Sequence, residues 1–561
     1  MGNIRERRGT APWHYPAALA LACAAACVLA FAVCAAAFGI WSAVSAAGAA
    51  TLGTGPPEPV LPWPEPSSEH RAFAAVDDYL QEQMDDVGIP GVAVAIVRDG
   101  RQVHQAAFGR ADDSGRPMTA QTPVLLASTS KSLTAIAVMQ QVEAGRLELD
   151  EPVRTYLPWF SMADNRAAEI TVRHLLHQTS GLSTADGSAF GASDTQDPDA
   201  LEQGVRELAD ASLFNDPGES FTYSNANYNI LGLLVQTVSS QPFGDYMQDH
   251  VFAPLDMANS HTTREAARAD YLAAGYSLWF GTFWRQTDVP AATTGMPSTT
   301  MYSSAQDLGH ELIALLEDGR YLDRRVLRPE SVETLLTPQV RVDESKRYAM
   351  AWFARPLLES TDPLASPAAD DLPLLLEHQG EWGNTHTYQA LVPSSGLGLA
   401  LLINGNDTSA PSRLQTLDSN VLRILHGQPP QPLTAKEDWL QQYGWAVALA
   451  LLLAELASLA LVLGVLIRNR TSGNRLVRTA RHSWRLVLWA SGALALDAFL
   501  VWLAFVYAPA RFETYLAVII RQFPDVGAAL VPALTLAIVC SLPRTVWLLS
   551  RLRTPRPVAL P

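Results

Sequence analysis

Apolar and polar positions recur with changing periods along the chain, and each change of period predicts an element. Apolar residues spaced as on one face of a helix come first, at positions 73–84, and predict an amphipathic helix. Two β-like runs follow at residues 92–97 and 102–108, on either side of Asp99 and Gly100. Turn residues between two such runs predict a β-hairpin.

The middle of the chain continues with further helical and strand-like patterns. An apolar helical run extends from Ser128 to Gly145. Residues 170–182 predict a second short helix that ends at a glycine, whereas residues 183–216 are polar and predict an irregular segment. The remaining predicted elements are a helix opened by a capping box at residues 304–307, strands at 387–392 and 397–403, and a closing helix at 412–425.

Four long apolar runs predict membrane segments, because about 20 apolar residues span a bilayer. Residues 15–41 predict an N-terminal signal-anchor, or else a long signal peptide. The other three runs cover residues 445–467, 486–507 and 526–542. Arginine-rich segments beside the runs all fall on one side if the middle of the chain lies outside the cytoplasm. The sequence therefore predicts a multi-pass protein of the cell membrane whose middle domain is extracytoplasmic, either periplasmic or on the cell surface.

These patterns divide the 561 residues into five parts. The predicted parts are the signal-anchor at 1–50, a proline-rich linker at 51–68, the middle domain at 69–427, a second linker at 428–442, and a C-terminal membrane domain with three transmembrane helices at 443–561.

Glu455 and Asp497 lie inside the C-terminal apolar runs, where acids are costly and are either functional or held between packed helices.

Composition narrows the function of the middle domain. The formal net charge is −16 and arginines crowd the two ends, so the middle is more acidic still, which argues against nucleic acid as a partner. The four cysteines all lie in the terminal apolar runs, so the middle has no disulfide framework or cysteine metal site. We therefore expect no metal and no organic cofactor, and membrane lipid as a partner of the apolar ends.

Candidate chemistry begins with Ser128 and Lys131 in a Ser-x-x-Lys pattern. Residues three apart share one face of a helix, and a serine hydroxyl needs a neighbour that takes its proton. The chain draws its positive charge almost entirely from arginine, and its only lysines are Lys131, Lys346 and Lys436. Unlike arginine, lysine can lose its proton when buried, so Lys131 is a candidate base. The alternative is a solvated surface pair.

Two later patterns add candidate groups. Tyr223 is followed two residues on by Asn225; a tyrosine hydroxyl with a lowered pKa can relay a proton, and an amide can orient a substrate. His378 is followed two residues on by Gly380, at the edge of a predicted strand where glycine permits close approach of a substrate backbone. The backbone N–H that follows can stabilise an oxyanion together with that of Ser128.

Together and in this order, the three patterns resemble the β-lactamase and penicillin-binding-protein superfamily, and most of all its class C β-lactamase-like branch, over about residues 72–427. The resemblance implies an α/β fold, with an antiparallel sheet flanked by helices plus a helical lobe, to which the apolar runs add transmembrane helices at both ends of this chain. It also implies an extracytoplasmic serine hydrolase, a peptidase or esterase acting on a small-molecule or peptide substrate of the cell envelope. The implied roles are an acyl-enzyme at Ser128, proton transfer by Lys131 and Tyr223, substrate binding by Asn225, an opposite wall at His378 and Gly380, and a second oxyanion N–H at Glu381.

Departures from the family pattern leave alternatives open. The third pattern has His378 at a position where true β-lactamases usually have a lysine, and a lysine there favours the carboxylate of penicillins. The layout is also similar to membrane-bound peptidases that remove an acylated D-asparagine from prodrug natural products. Those peptidases have an acidic residue and a serine where this chain has Leu125 and Asn225. The alternatives are thus a prodrug-activating D-amino-acid peptidase, a β-lactamase or D-Ala-D-Ala carboxypeptidase, and a catalytically silent sensor or binding protein.

Overall fold

The computed structural model describes residues 66–190, 195–197, 199–357, 373–471 and 483–552. The predicted N-terminal signal-anchor and nearly all of the proline-rich linker lie outside these residues. The described residues form two compact units. One unit contains residues up to 447 together with residues 508–528, and the other contains residues 448–507 and those from 529 onward.

The larger unit is built on an eight-stranded antiparallel sheet in the order β2-β1-β8-β7-β6-β5-β4-β3. Short strand pairs at 124–125 with 302–303 and at 320–321 with 324–325, and a small sheet of 276–279, 283–286 and 405–406, lie outside it. The strands of the main sheet are β1 (Gly91–Arg98), β2 (Arg101–Gly109), β3 (Val340–Arg341), β4 (Arg347–Tyr348), β5 (Phe353–Pro356), β6 (Leu374–Trp382), β7 (Thr385–Val392) and β8 (Leu397–Ile403).

Helices cover both faces of the sheet. The α-helices of both units, in chain order, are α1 (Pro66–Val87), α2 (Ser130–Glu143), α3 (Val153–Tyr156), α4 (Val172–Leu176), α5 (Thr184–Ala189), α6 (Ala200–Arg206), α7 (Asn225–Ser239), α8 (Phe243–Met247), α9 (Arg264–Ala269), α10 (Ala305–Leu316), α11 (Pro329–Leu336), α12 (Pro411–Leu425), α13 (Trp439–Thr471), α14 (Ser483–Trp502), α15 (Ala508–Arg511), α16 (Leu516–Gln522) and α17 (Pro524–Leu552).

Two apolar cores lie on opposite faces of the sheet, because successive side chains of a strand point to opposite sides. On β1, Val94 and Ile96 pack with α1 and α12, whereas Ala93 and Ala95 belong to the core that contains α2 and α7. The central strands are therefore apolar on both faces, and they place the start of α2 against the sheet.

Most of the predicted elements are confirmed. The amphipathic helix is α1, the hairpin is β1 and β2, the two later strands are β7 and β8, and the closing helix is α12. The capping prediction at 304–307 is also confirmed, since the Ser304 side chain accepts a hydrogen bond from the backbone N–H of Asp307 at the start of α10. The β-lactamase-like α/β fold with an antiparallel sheet and helices is thus the observed architecture.

Two predicted elements are wrong in extent. The helix expected over 170–182 covers only Val172–Leu176, because Gln178 has a left-handed backbone with φ of 60° and turns the chain away. The segment 183–216, expected to be irregular, contains α5 and α6. Ser183 caps α5, since its side chain accepts a hydrogen bond from the backbone N–H of Asp186. The capping pattern is short, and the polarity of the whole segment hid it in the sequence.

Residues 508–528 extend from the end of the second apolar C-terminal stretch to the first turn of the third, and they pack within the larger unit. The backbone N–H of Phe280 donates to Asp525 Oδ2 at 3.0 Å. Gln522 lies against Gly383 at the turn between β6 and β7, where an added Cβ would fall 2.9 Å from its backbone oxygen. The larger unit therefore needs the C-terminal part of the chain, and the experiments below use the full-length protein in detergent.

The smaller unit contains most of the apolar helices near the C-terminus. Three stretches, Trp439–Leu461, Val487–Arg511 and Pro524–Val546, are long and apolar enough to cross a membrane. Glu455 and Asp497 are buried between these helices and both pair with Arg544, whose guanidinium donates to Glu455 Oε2 at 2.9 Å and also contacts Asp497. The acids are thus held between packed helices by a third helix's cation.

We expect Arg544→Leu to lower the free energy of unfolding by about 3 kcal/mol, because breaking a buried ion pair leaves an uncompensated charge. Two carboxylates would remain in a low-dielectric contact between helices. The measurement is unfolding of the full-length protein in mixed detergent micelles. Arg511→Leu is the matched control, since Arg511 pairs with Asp438 in a half-exposed contact worth little. Equal losses in the two variants would contradict this prediction.

Candidate active site

Ser128 lies in a short 3-10 turn, Ala127–Thr129, directly before α2. The preceding residue, Ala127, has a left-handed backbone with φ of 50°, which is strained for a residue with a Cβ. Thr129 and Thr387 side chains both donate to the backbone oxygen of Leu126, at 2.8 and 2.6 Å, and hold the turn against β7. The turn therefore holds Ser128 half-exposed, between the buried residues Ala127 and Thr129.

The structure brings Ser128, Lys131 and Tyr223 together. Lys131 Nζ lies 3.0 Å from Ser128 Oγ, and the Tyr223 hydroxyl donates to the same Oγ at 2.8 Å. Tyr223 lies just before α7, and α7 packs on α2, which brings the tyrosine to a serine 95 residues away in the chain. The serine oxygen is therefore held between an amine and a phenol.

Lys131 is completely buried, and within the described ranges it forms no ion pair. Its other two hydrogen-bond partners are acceptors, Asn225 Oδ1 at 2.8 Å and the backbone oxygen of Ser298 at 2.9 Å. Burial lowers the pKa of Lys131 well below its ordinary value, because removal from water disfavours the charged form. A neutral amine has two N–H bonds, which these two acceptors use, and its lone pair then faces Ser128.

The Tyr223 hydroxyl stays protonated. Burial raises the pKa of Tyr223 above its usual value, and the hydrogen bond to Ser128 offsets this only in part. The expectation of a lowered pKa is therefore wrong in direction. A neutral phenol can still donate its proton to a neighbouring oxygen or nitrogen, and the geometry gives Tyr223 the position of a donor to Ser128.

Asn225 begins α7 and its Oδ1 faces Lys131, as the contact above shows. The sequence interpretation assigned the Asn225 amide to substrate binding, whereas in the structure its oxygen contacts Lys131. The Oδ1 atom orients the amine, and the Asn225 side chain is half-exposed. The residue before Asn225 is held by the preceding helical segment, since Gln178 Oε1 accepts from the backbone N–H of Ser224 at 3.0 Å.

The third motif lies inside β6 and not at the edge of a strand, since β6 extends from Leu374 to Trp382. An added Cβ on Gly380 would overlap Thr387 Oγ1 and Leu126 O and fall 3.2 Å from Ser128 N. Strand β6 therefore lies directly against the nucleophile turn. His378 is buried, and the exposed Glu381 carboxylate accepts from Gln415 Nε2 at 2.8 Å, which leaves only its backbone for the site.

Two groups of the site were missed by sequence reasoning. Ser298 contributes a backbone carbonyl to Lys131, and a carbonyl has no sequence signature. Glu311 on α10 is completely buried; its Oε2 accepts from Gln389 Nε2 at 2.7 Å, and Gln389 Oε1 accepts from Ser132 at 3.3 Å. A lone acid in an apolar helical stripe was the only available signal for this support beneath α2.

Glu311 predicts a pH effect on stability. Burial raises the pKa of Glu311 from 4.5 to about 7, so the folded protein holds a proton that the unfolded chain has lost. The stabilisation that comes from protonated Glu311 is fully present below the pKa that its carboxyl has in the unfolded chain. It is lost as the pH rises through the pKa of the same carboxyl in the folded protein. We expect Glu311→Gln, relative to wild type, to gain roughly 2–3 kcal/mol of unfolding free energy on going from pH 5 to pH 8.

Denaturant unfolding of full-length wild type and Glu311→Gln at the two pH values tests this. The matched control is Glu317→Gln, because Glu317 is an exposed acid at the end of the same helix. A Glu311→Gln difference that is the same at both pH values would show that the buried carboxyl keeps its ordinary pKa.

Comparisons with known proteins follow this geometry. A family model described as Beta-lactamase matches residues 76–420. Protein flp of Staphylococcus aureus strain MW2 is 26% identical over 355 residues, which are 62% of this chain and 66% of flp, so the chain spans slightly less than two thirds of that relative.

Two solved structures are similar in fold. The octameric penicillin-binding protein homologue from Pyrococcus abyssi has a TM-score of 0.54 at 23% identity, covering 68% of this chain and 81% of that one. EstCE1, a hydrolase with promiscuous acyltransferase activity, has a TM-score of 0.53 at 23% identity, covering 64% of this chain and all of its own. Since the family model also matches more than half of the sequence, the chain belongs to the beta-lactamase family.

Proposed function

We propose that this protein is a membrane-anchored serine hydrolase that transfers an acyl group from an amide or ester to Ser128 and then to water. The observation that carries the proposal is the position of Ser128 Oγ between the Lys131 amine and the Tyr223 hydroxyl. Members of this family are generally serine hydrolases, and EstCE1 is described as a hydrolase with acyltransferase activity.

Acylation uses these groups in turn. The neutral Lys131 amine takes the proton of Ser128 as Oγ attacks the acyl carbon, and the positive charge that forms is stabilised by Asn225 Oδ1 and Ser298 O. The backbone N–H groups of Ser128 and Glu381 stabilise the oxyanion. Tyr223 relays a proton to the leaving group, whose bond to the acyl carbon then breaks. Water attacks the ester in the second half, with the same groups returning the proton to Ser128.

The site would face the outside of the cytoplasmic membrane. The three apolar C-terminal helices support membrane attachment, and the arginine-rich segments support a topology with the hydrolase unit outside. The substrate would then be an amide or ester of the cell envelope. Labelling of intact cells with a membrane-impermeant thiol reagent, after Ser114→Cys is introduced on an exposed loop, tests this orientation; protection of Cys until lysis would contradict it.

Intact mass of the full-length protein after exposure to a serine-reactive fluorophosphonate tests the nucleophile. We expect one adduct on wild type, none on Ser128→Ala, and one on the control Ser114→Ala, since Ser114 is an exposed serine of a turn and has no contact with Lys131 or Tyr223 among the described residues. An adduct that persists in Ser128→Ala would assign another nucleophile. The absence of any adduct on folded wild type would overturn the enzyme proposal in favour of a silent binding protein.

A further inference from the structure

A β-hairpin in the larger unit is rich in aromatic residues. Its strands are Tyr276–Trp279 and Phe283–Gln286, and we refer to residues 276–287 as the aromatic hairpin. Five of these twelve residues are aromatic, and the segment contains Arg285 but no acid, in a chain whose formal net charge is −16. The aromatic hairpin therefore differs in chemistry from the rest of this acidic chain.

The turn of the aromatic hairpin holds a phenylalanine where a small residue is favoured. The backbone N–H of Thr282 donates to Trp279 O at 3.0 Å, and the two residues between them, Phe280 and Gly281, have φ of 53° and 63°. Turns of this kind prefer Asn or Gly, because a left-handed backbone is strained for a bulky side chain. The contacts of Phe280 must offset this strain.

Those contacts are with the starts of two apolar stretches. The Phe280 and Trp445 ring centroids lie 5.5 Å apart, and the Phe280 N–H donates to Asp525 Oδ2 at 3.0 Å. Trp445 belongs to the stretch Trp439–Leu461, and Asp525 is the second residue of Pro524–Val546. In a bilayer that all three stretches cross, the first and the third begin on the same side. The turn therefore lies at the level where these stretches enter the membrane.

The outer side of the turn is apolar and largely uncovered. Phe283 is 49% exposed, and its ring centroid lies 6.1 Å from that of Phe280. The exposed Arg285 places its guanidinium 4.6 Å from the centroid of the Trp279 ring. Aromatic rings beside a cation suit the edge of a bilayer, where rings reach the acyl chains and the cation meets lipid phosphates.

We propose that the turn of the aromatic hairpin binds the boundary between the headgroups and the acyl chains of a phospholipid bilayer, with Phe283 inserted and Arg285 at the phosphates. A stable protein interface takes about 20–30 residues from each side, whereas the exposed surface here is residues 281–283 and 285, which favours lipid over a second protein. The inference rests on the membrane attachment in the proposed function and adds a lipid contact made by the hydrolase unit itself. It does not depend on the chemistry at Ser128.

The depth of the turn is measurable in the full-length protein, in nanodiscs of three parts phosphatidylcholine to one part phosphatidylglycerol. The four native cysteines are changed to alanine, and the fluorescent dye NBD is attached at Thr282→Cys, which leaves Phe283 and Arg285 in place. We expect a lipid with a nitroxide just below its headgroup to quench this dye more than a lipid with a nitroxide at the end of its acyl chain. Interfacial elements lie about 5–10 Å into the boundary between headgroups and acyl chains, which is the depth of the first nitroxide.

Two further dye positions calibrate the measurement. Ile538→Cys replaces an exposed side chain within the third apolar stretch, where the order of quenching by the two lipids should reverse. Leu322→Cys replaces an apolar side chain that is 72% exposed and is followed by three exposed charged residues, 323–325. A dye at this position should be quenched by iodide in the water and by neither lipid.

Phe283→Ser in the Thr282→Cys chain tests the ring itself. Without the ring the turn should lie less deep, so quenching at position 282 by the nitroxide below the headgroup should fall. Leu322→Ser is the matched control, because it removes an even more exposed apolar side chain from another turn, and it should leave quenching at position 282 unchanged. Thermal unfolding followed by circular dichroism shows that each labelled variant is folded.

The outcomes separate the lipid contact from the proposed function. A dye at position 282 that neither lipid quenches, in nanodiscs where the dye at position 538 is quenched, overturns the lipid contact and leaves the anchored hydrolase standing. Blue-shifted emission at position 282 without quenching would assign the turn to a protein partner and would also overturn it. Quenching at position 282 that survives Phe283→Ser overturns the role of Phe283. Absence of lipid quenching at position 538 overturns the membrane attachment itself, whereas the fluorophosphonate adduct reports on the hydrolase separately.

Discussion

We expect Lys131→Met to lower kcat/KM for an ester substrate roughly 10³- to 10⁴-fold, at the upper end of what general acid–base catalysis contributes. Methionine is unbranched and nearly as long as lysine, so it fills the same buried space, but it has no amine to take the Ser128 proton. The rate of fluorophosphonate labelling should fall in parallel, because that reaction also requires an activated Oγ. Lys436→Met is the matched control, since Lys436 is exposed on the linker.

The same substitution should make the folded protein more stable. Because the pKa of Lys131 is lowered on folding, the unfolded chain binds a proton that the folded protein lacks, and the folded state is penalised at every pH below the ordinary pKa of lysine. Replacing the amine with an apolar group removes that penalty. We therefore expect an inactive Lys131→Met variant with a higher Tm than wild type. A lower Tm together with lost activity would mean that the lysine is structural.

The pH dependence of wild-type activity follows from the same shift. The amine works as a base only when it is neutral, so kcat/KM should decline as the pH falls through the lowered pKa of Lys131 and stay level above it. With the ordinary pKa of a lysine, the rate would instead keep rising into the alkaline range. A rise of that kind would contradict a buried neutral amine.

Local patterns predicted the parts of this protein that depend on short stretches of sequence. The spacing of Ser128 and Lys131 brings their side chains together because a single turn separates them. The burial that makes Lys131 a base comes from elsewhere in the chain, however, and the scarcity of lysine in the sequence was only an indirect sign of it. The carbonyl of Ser298, which completes the coordination of the amine, leaves no trace in any pattern of residue types.

The failed predictions have a common physical cause, which is that contacts between distant segments outweigh local preference. Residues 170–182 have an apolar helical pattern, yet the helix ends at Leu176, because Gln178 turns to accept a hydrogen bond from Ser224 at the start of α7. Residues 183–216 are polar enough for a loop, yet α5 packs on α7 and is ordered by it. In both places the segment packs on α7, the helix that begins at Asn225, directly after Tyr223 and Ser224.

Strand β6 gives the second large effect, which we expect from Gly380→Ala. The new Cβ would overlap Leu126 O, a backbone atom, and Thr387 Oγ1, which is fully buried and donates to that oxygen, so neither can give way without displacing the strand. Displacement moves the Glu381 N–H away from the oxyanion. Loss of one oxyanion donor costs about 10²–10³ in kcat, and we expect a decrease of that size with little change in KM.

Steady-state kinetics and fluorophosphonate labelling rates of full-length Gly380→Ala measure this loss, and thermal unfolding shows whether the variant is folded. Gly444→Ala is the matched control, because a Cβ there would meet no atom within 4 Å. Unchanged kcat in a folded Gly380→Ala variant would remove β6 from the oxyanion site. A decrease in kcat that is shared by labelling, in contrast, connects the close approach of Gly380 to Ser128 with the chemistry, since only an atom as small as hydrogen on Gly380 lets the strand donate its next N–H to the reacting centre.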